Sequence, residues 1–125
     1  MTRKPVFILN SEPEESDGIA RLLEMANCPT QTVRTPARLK ELLKKNTCMG
    51  VIMDIDSVAV DNRTIRELAS AFPSIPLLCL SKERFHPELK DSIRDLVYAC
   101  LTKPIDPVEL SYWIKCIRED SPHNA

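Results

Sequence analysis

Apolar and polar positions follow one another along this chain in five similar blocks. Val6–Leu9 is a run of four hydrophobes, which suits a strand buried on both faces. The chain then turns polar at Asn10, and over residues 14–26 the apolar side chains Ile19, Leu22, Leu23 and Ala26 recur at helical spacing. Residues 30–35 are β-branched and alternating, a strand signal. Pro36 suits the first turn of a helix that carries Leu39, Leu42 and Leu43 on one side and Lys40, Lys44 and Lys45 on the other. Val51, Ile52 and Met53 form a third apolar run, ending at Asp54. A polar loop over 54–62 leads to a helix with Ile65, Leu68, Ala69 and Phe72. Residues 75–80 make a fourth strand ending at Ser81, and residues 87–95 a weaker helix with Leu89, Ile93 and Leu96 inward. A fifth strand over 97–101 runs into Thr102-Lys103-Pro104, and a last helix over 107–119 buries Leu110, Ile114 and Ile117.

Strand followed by helix, five times at this spacing, predicts an α/β domain: a parallel sheet with helices on both faces. Residues 1–120 read as one domain and 121–125 as a tail or the start of a linker. With 17 basic against 18 acidic residues, a net charge of -1 gives no reason to expect nucleic acid or an anionic membrane as partner. No apolar run approaches the ~20 residues of a membrane span. Two glycines, Gly18 and Gly50, exclude the glycine-rich phosphate loops, so a cofactor binder of flavodoxin type lacks its phosphate site. The cysteines Cys28, Cys48, Cys79, Cys100 and Cys116 form no CxxC motif; they read as small buried hydrophobes of a reducing, cytoplasmic compartment. His86 and His123 have no neighbouring ligands and read as surface residues.

In an open parallel sheet, ligands bind beyond the carboxyl ends of the strands. There the sequence places Asn10-Ser11-Glu12, Asp54, Ser81 and Lys103-Pro104. A carboxylate, a hydroxyl and an ammonium in this order and spacing resemble the receiver domain of two-component response regulators, over roughly residues 5–118. The resemblance implies a flavodoxin-like three-layer (βα)5 fold with strand order 2-1-3-4-5. It implies Asp54 as phosphoacceptor, Ser81, Lys103 and Pro104 as the phosphate-binding and switch residues, and Mg²⁺ as cofactor. The partner would be a histidine kinase or a phosphotransfer protein, and the protein would be a signalling module, not an enzyme. A homodimer through the face of the fourth helix, fifth strand and fifth helix is a further implied partner, and a cis Lys103–Pro104 bond a further implied feature.

The sequence also departs from the pattern. Asn10 and Ser11 stand where the family carries two acidic metal ligands, so Mg²⁺ binding through Asp54, Asp56, Asn10 and Ser11 is expected to be weak. Asp56 either adds negative charge at the metal rim or is a solvated loop carboxylate. Asn62 replaces a turn glycine and tolerates left-handed geometry. Lys82 puts a long cation at the pocket mouth. Cys100 occupies the aromatic switch position, with Tyr98 two residues away on the same strand as its stand-in. Without the acidic pair, Lys103 and Asp54 are expected to pair directly. Tyr112 faces outward and suits a partner contact; Trp113 lies at the edge of the buried stripe. Two functions remain open: a phosphorylatable receiver with weakened Mg²⁺ affinity, or a pseudo-receiver that acts as an interaction or dimerisation module.

Overall fold

The computed structural model describes residues 4–83 and 89–120. The ten elements are β1 (Val6–Leu9), α1 (Pro13–Met25), β2 (Thr30–Val33), α2 (Pro36–Lys45), β3 (Gly50–Asp54), α3 (Asn62–Ala71), β4 (Leu77–Ser81), α4 (Lys90–Leu96), β5 (Ala99–Thr102) and α5 (Pro107–Asp120). The strands form one parallel sheet in the order β2-β1-β3-β4-β5. His86, His123, the helix start at Pro87 and residues 121–125 lie outside the described residues.

Side-chain alternation divides the core into two layers. Phe7, Leu9, Val51, Met53, Leu77 and Cys79 face α2, α3 and α4, where Leu39, Leu43, Ile65 and Leu68 meet them. Val6, Ile8, Ile52, Leu78, Leu80 and Leu101 face α1 and α5, against Ile19, Leu23, Leu110, Ile114 and Ile117. All of β1, β3 and β4 are buried, as central strands covered on both faces must be.

Local chemistry fixes where the helices begin. Pro13 and Pro36 occupy first-turn positions, where a missing N–H costs nothing. Thr35 Oγ1 accepts from the Arg38 amide and Asp61 Oδ1 from the Thr64 amide, capping α2 and α3. Asn62 therefore opens α3 as a helical residue. The left-handed geometry expected of it is found at Asn27 instead, with φ 59°.

Other boundaries differ for local reasons. Pro76 has no N–H for the ladder, so β4 starts at Leu77, while the Pro76 carbonyl still accepts from Val51. Val97 and Tyr98 precede β5 and are not part of it. The 54–62 loop is not wholly polar, for Val58 is buried against the core. Leu96, expected inward, lies at the end of α4 and is exposed. Of the cysteines, Cys28, Cys48 and Cys79 are buried, but Cys100 on the edge strand is exposed and Cys116 is half-buried.

Candidate functional site

Three strands deliver their last residues to one edge of the sheet. β3 ends at Asp54, which is fully buried, β4 at Ser81, and the turn after β5 supplies Lys103. The Lys103 amide donates to the Ser81 carbonyl at 2.8 Å, which fixes that turn beside β4. The Lys103–Pro104 peptide bond is cis.

Lys103 Nζ is the centre of the arrangement. It lies 2.8 Å from Asp54 Oδ1, 2.8 Å from Glu15 Oε1 and 3.3 Å from Asp56 Oδ2. The direct Lys103–Asp54 pair expected from the missing acidic residues is thus present. Glu15 was not among the sequence-derived candidates: one turn into α1, it reaches the site by the length of its side chain.

Asp56 is tied down on both oxygens. Oδ1 accepts from Ser81 Oγ at 2.8 Å, and Oδ2 accepts from the Lys82 amide at 2.8 Å. Its own amide donates to Asp54 Oδ1 at 3.1 Å. It is therefore not a solvated loop carboxylate. Lys82 contributes through its backbone. Asp54 Oδ2, by contrast, is buried and has no hydrogen-bond partner among the described residues.

Asn10 and Ser11 are spent on the neighbouring loop. Asn10 is buried and donates through Nδ2 to Glu15 Oε1 at 3.0 Å, while its Oδ1 accepts from the Glu12 amide at 2.7 Å and from Ser57 Oγ at 3.3 Å. The Ser11 amide donates to Ser57 Oγ at 3.1 Å and the Ser11 hydroxyl to the Ser57 carbonyl at 2.7 Å. Ser57 is a second residue the sequence did not single out, since a serine in a polar loop carries no distinguishing pattern.

Charge follows geometry. Burial pushes the Asp54 carboxyl up, but the hydrogen bonds from Lys103 and the Asp56 amide outweigh it and hold it below the ordinary carboxylate range. For Asp56, burial is likewise outweighed, first by the Lys82 amide and then by Ser81 and Lys103. Burial works to lower Lys103, yet its hydrogen bonds to Asp54 and Glu15 raise it above its usual value.

The Mg²⁺ implied by the resemblance meets a donor set that fits it poorly. The carboxamide and hydroxyl at positions 10 and 11 are engaged with Glu15, Glu12 and Ser57. The three nearest carboxylates turn onto the Lys103 ammonium. Among the described residues, no group of three or more His, Cys, Asp and Glu side chains is placed to hold a metal ion.

On the edge strand, Cys100 is registered with Cys79 of β4. The hydrogen bond between the two thiols lowers Cys100 and raises Cys79. Tyr98 does not stand in for the switch aromatic. Its amide pairs with Leu77 at the start of β4, at the far end from Ser81, and its ring meets Trp113 edge-on at 5.8 Å. Tyr112 is 58% exposed, as expected, and also stands edge-on to Trp113, at 5.1 Å.

Among the described residues, no helix is long and apolar enough to cross a membrane. No family model matches the sequence, and no curated protein is similar to it. Solved structures are similar in fold at low identity. The signal receiver domain of an HD domain-containing protein from Pseudomonas fluorescens is 20% identical, with a TM-score of 0.82 over 99% of this chain and 93% of that one. The receiver domain of a sensor histidine kinase from Pseudomonas aeruginosa, with a magnesium ion coordinated in its active site cleft, is 13% identical, with a TM-score of 0.82 over 95% of this chain and 100% of that one. A chemotaxis response regulator of Vibrio cholerae is 18% identical, with a TM-score of 0.77 over 93% of this chain and 99% of that one. Strand order, alternation and these likenesses agree: the chain has the fold of the response-regulator receiver domains.

Proposed function

We propose that the protein is a cytoplasmic signalling module that accepts a phosphoryl group on Asp54 from a histidine kinase or phosphotransfer protein. The observation that carries this reading is the Asp54 carboxylate: it is fully buried at the sheet edge, with Oδ2 unpartnered among the described residues. A buried polar atom without a partner is costly, and a carboxylate held ionised beside an ammonium is a competent nucleophile. Asp54 Oδ2 would attack phosphorus as the P–N bond of a phosphohistidine breaks, with the electron pair leaving on the imidazole. Lys103 would offset the charge on the transferred group. A divalent cation would have to displace Lys103 from its carboxylates, so Mg²⁺ affinity would be low.

A second reading, the phosphorylation-independent interaction module, rests on a different observation. Tyr112 and Val108 are exposed one turn apart on α5, with Leu96 at the end of α4 and Tyr98 just before β5 also exposed. Exposed aromatic and aliphatic side chains in one region suit a docking or homodimer surface.

Intact mass after incubation with acetyl phosphate and millimolar Mg²⁺ separates the two. The phosphoacceptor reading expects one added phosphoryl group, absent in Asp54→Ala. No mass gain at any Mg²⁺ concentration, with a concentration-dependent dimer that Tyr112→Ala abolishes, would favour the interaction module.

A further inference from the structure

The Asp56 carboxylate collects donors from two neighbouring segments. Ser81 Oγ donates to Oδ1 at 2.8 Å, the Lys82 amide donates to Oδ2 at 2.8 Å, and Lys103 Nζ lies 3.3 Å from Oδ2. A hydroxyl, a backbone N–H and an ammonium that converge on one anionic group are the ingredients of an oxyanion site. Of these donors, Ser81 and Lys103 are those a phosphoryl group on Asp54 would need. Asp56 is only two residues from Asp54, and its amide is bonded to Asp54 Oδ1. Its carboxylate therefore stands beside the place where such a phosphoryl group would be built.

We propose that Asp56 is a built-in occupant of the oxyanion subsite formed by Ser81, Lys82 and Lys103, and that any phosphate-type ligand at this edge must evict it. The ligand class is a tetrahedral oxyanion, either free phosphate or, resting on the reading above, a phosphoryl group on Asp54. The resident carboxylate already draws Ser81 and the Lys82 amide toward the loop after β3. The start of the β4–α4 segment is thus held in an anion-engaged position before any phosphoryl group arrives. Phosphorylation then exchanges one anion for another and moves this segment little.

Two physical points support an occupant over a passive neighbour. The side chain is only 25% exposed, and both of its oxygens accept hydrogen bonds from the neighbouring strand end. A carboxylate facing solvent would gain nothing from that geometry, since water would serve as well.

Amide hydrogen exchange at Lys82, followed by NMR, tests the proposal with orthophosphate as probe. In the wild type, Lys82 should be protected with no phosphodonor present, and orthophosphate should change nothing. In Asp56→Ala, exchange should speed up roughly tenfold or more, the loss of one charge-assisted hydrogen bond. Millimolar orthophosphate should then restore protection, including in Asp54→Ala/Asp56→Ala, which cannot carry a covalent phosphoryl group. Asp56→Asn, which keeps the shape and loses the charge, should fall between and guards against a local folding defect. Unchanged protection in Asp56→Ala, loss without recovery in phosphate, or an equal phosphate response in the wild type would each overturn the assignment. Intact mass after acetyl phosphate reads Asp54 separately. Failure there refutes phosphoacceptance and leaves the Lys82 result standing.

Discussion

Replacing Lys103 by methionine removes the cation on which three carboxylates converge. Methionine preserves most of the side-chain length, so packing of the stem is retained. At 2.8 Å and an effective dielectric of roughly 20, one such pair attracts by about 6 kcal/mol. Desolvation of the two groups already consumes part of that in the wild type. What remains to be lost is the cost of a buried, uncompensated Asp54, which breaking a buried pair sets at about 3–5 kcal/mol. Glu15 and Asp56 are partly exposed, and water screens their share. A cost of this size is a large part of the roughly 5–15 kcal/mol that holds a domain together. Urea unfolding followed by Trp113 fluorescence should show the midpoint falling by roughly 1.5–3 M, for a slope of about 1.5–2 kcal/mol/M. Adding Asp54→Asn to Lys103→Met should recover most of the loss, because the orphaned charge is then gone. Asp54→Asn alone should cost far less than Lys103→Met, since the ammonium keeps two carboxylates. A Lys103→Met penalty under about 1 kcal/mol, or a double variant no more stable than the single, would refute the view that this ammonium neutralises a buried carboxylate.

Further expectations concern other parts of the molecule. Asp54 and Asp56 have lowered folded-state pKa values, so their contribution is present above the unfolded value of about 4 and lost as pH falls through the folded one. Urea midpoints should therefore hold between pH 7 and about 5 and drop below about 4. In Lys103→Met the sign should reverse, with stability rising on mild acidification as Asp54 takes up a proton. Gly50→Val should destabilise by about 1–3 kcal/mol in the same assay, because even a Cβ at this buried position would stand 3.3 Å from the Pro76 carbonyl oxygen. In native alkylation with N-ethylmaleimide, Cys100, exposed and with its thiol lowered by Cys79, should be modified first. Cys48, whose thiol burial pushes up to about 11, and the buried Cys79 should react only on unfolding.

How much of this was written in the sequence depends on which force is at work. Val6–Leu9 and the run at Val51-Ile52-Met53 were legible because burial on both faces demands unbroken hydrophobicity, and Pro36 marked the start of its helix. The edge strand was less so. Residues 97 and 98 have strand composition, but the strand begins only at Ala99, after a single backbone bond from the Tyr98 amide to Leu77, and sheet pairing, not propensity, decides that. At the site, Asp54, Ser81 and Lys103 could be placed by their position at strand ends. Glu15 and Ser57 could not, since their roles arise from side chains reaching across 88 and 47 residues of chain to Lys103 and Asn10. Asp56 was visible as a charge in the right loop, but only the fold aims it at Ser81 and the Lys82 amide.

The serine latch between the β1 and β3 loops has a consequence of its own. Ser11 and Ser57 grip each other through an amide, two hydroxyls and a carbonyl, and Asn10 joins them. Two loops that a dissolved ion could have bridged are here stitched by groups that belong to the chain. Their spacing is thus set by hydrogen bonds that are inherited with the sequence. Installing acid by Asn10→Asp would not by itself create an ion site: the Nδ2 donor to Glu15 would be lost while the stitch to Ser57 persisted, leaving like charges facing one another. Ion dependence at this edge would have to be acquired by several coordinated replacements.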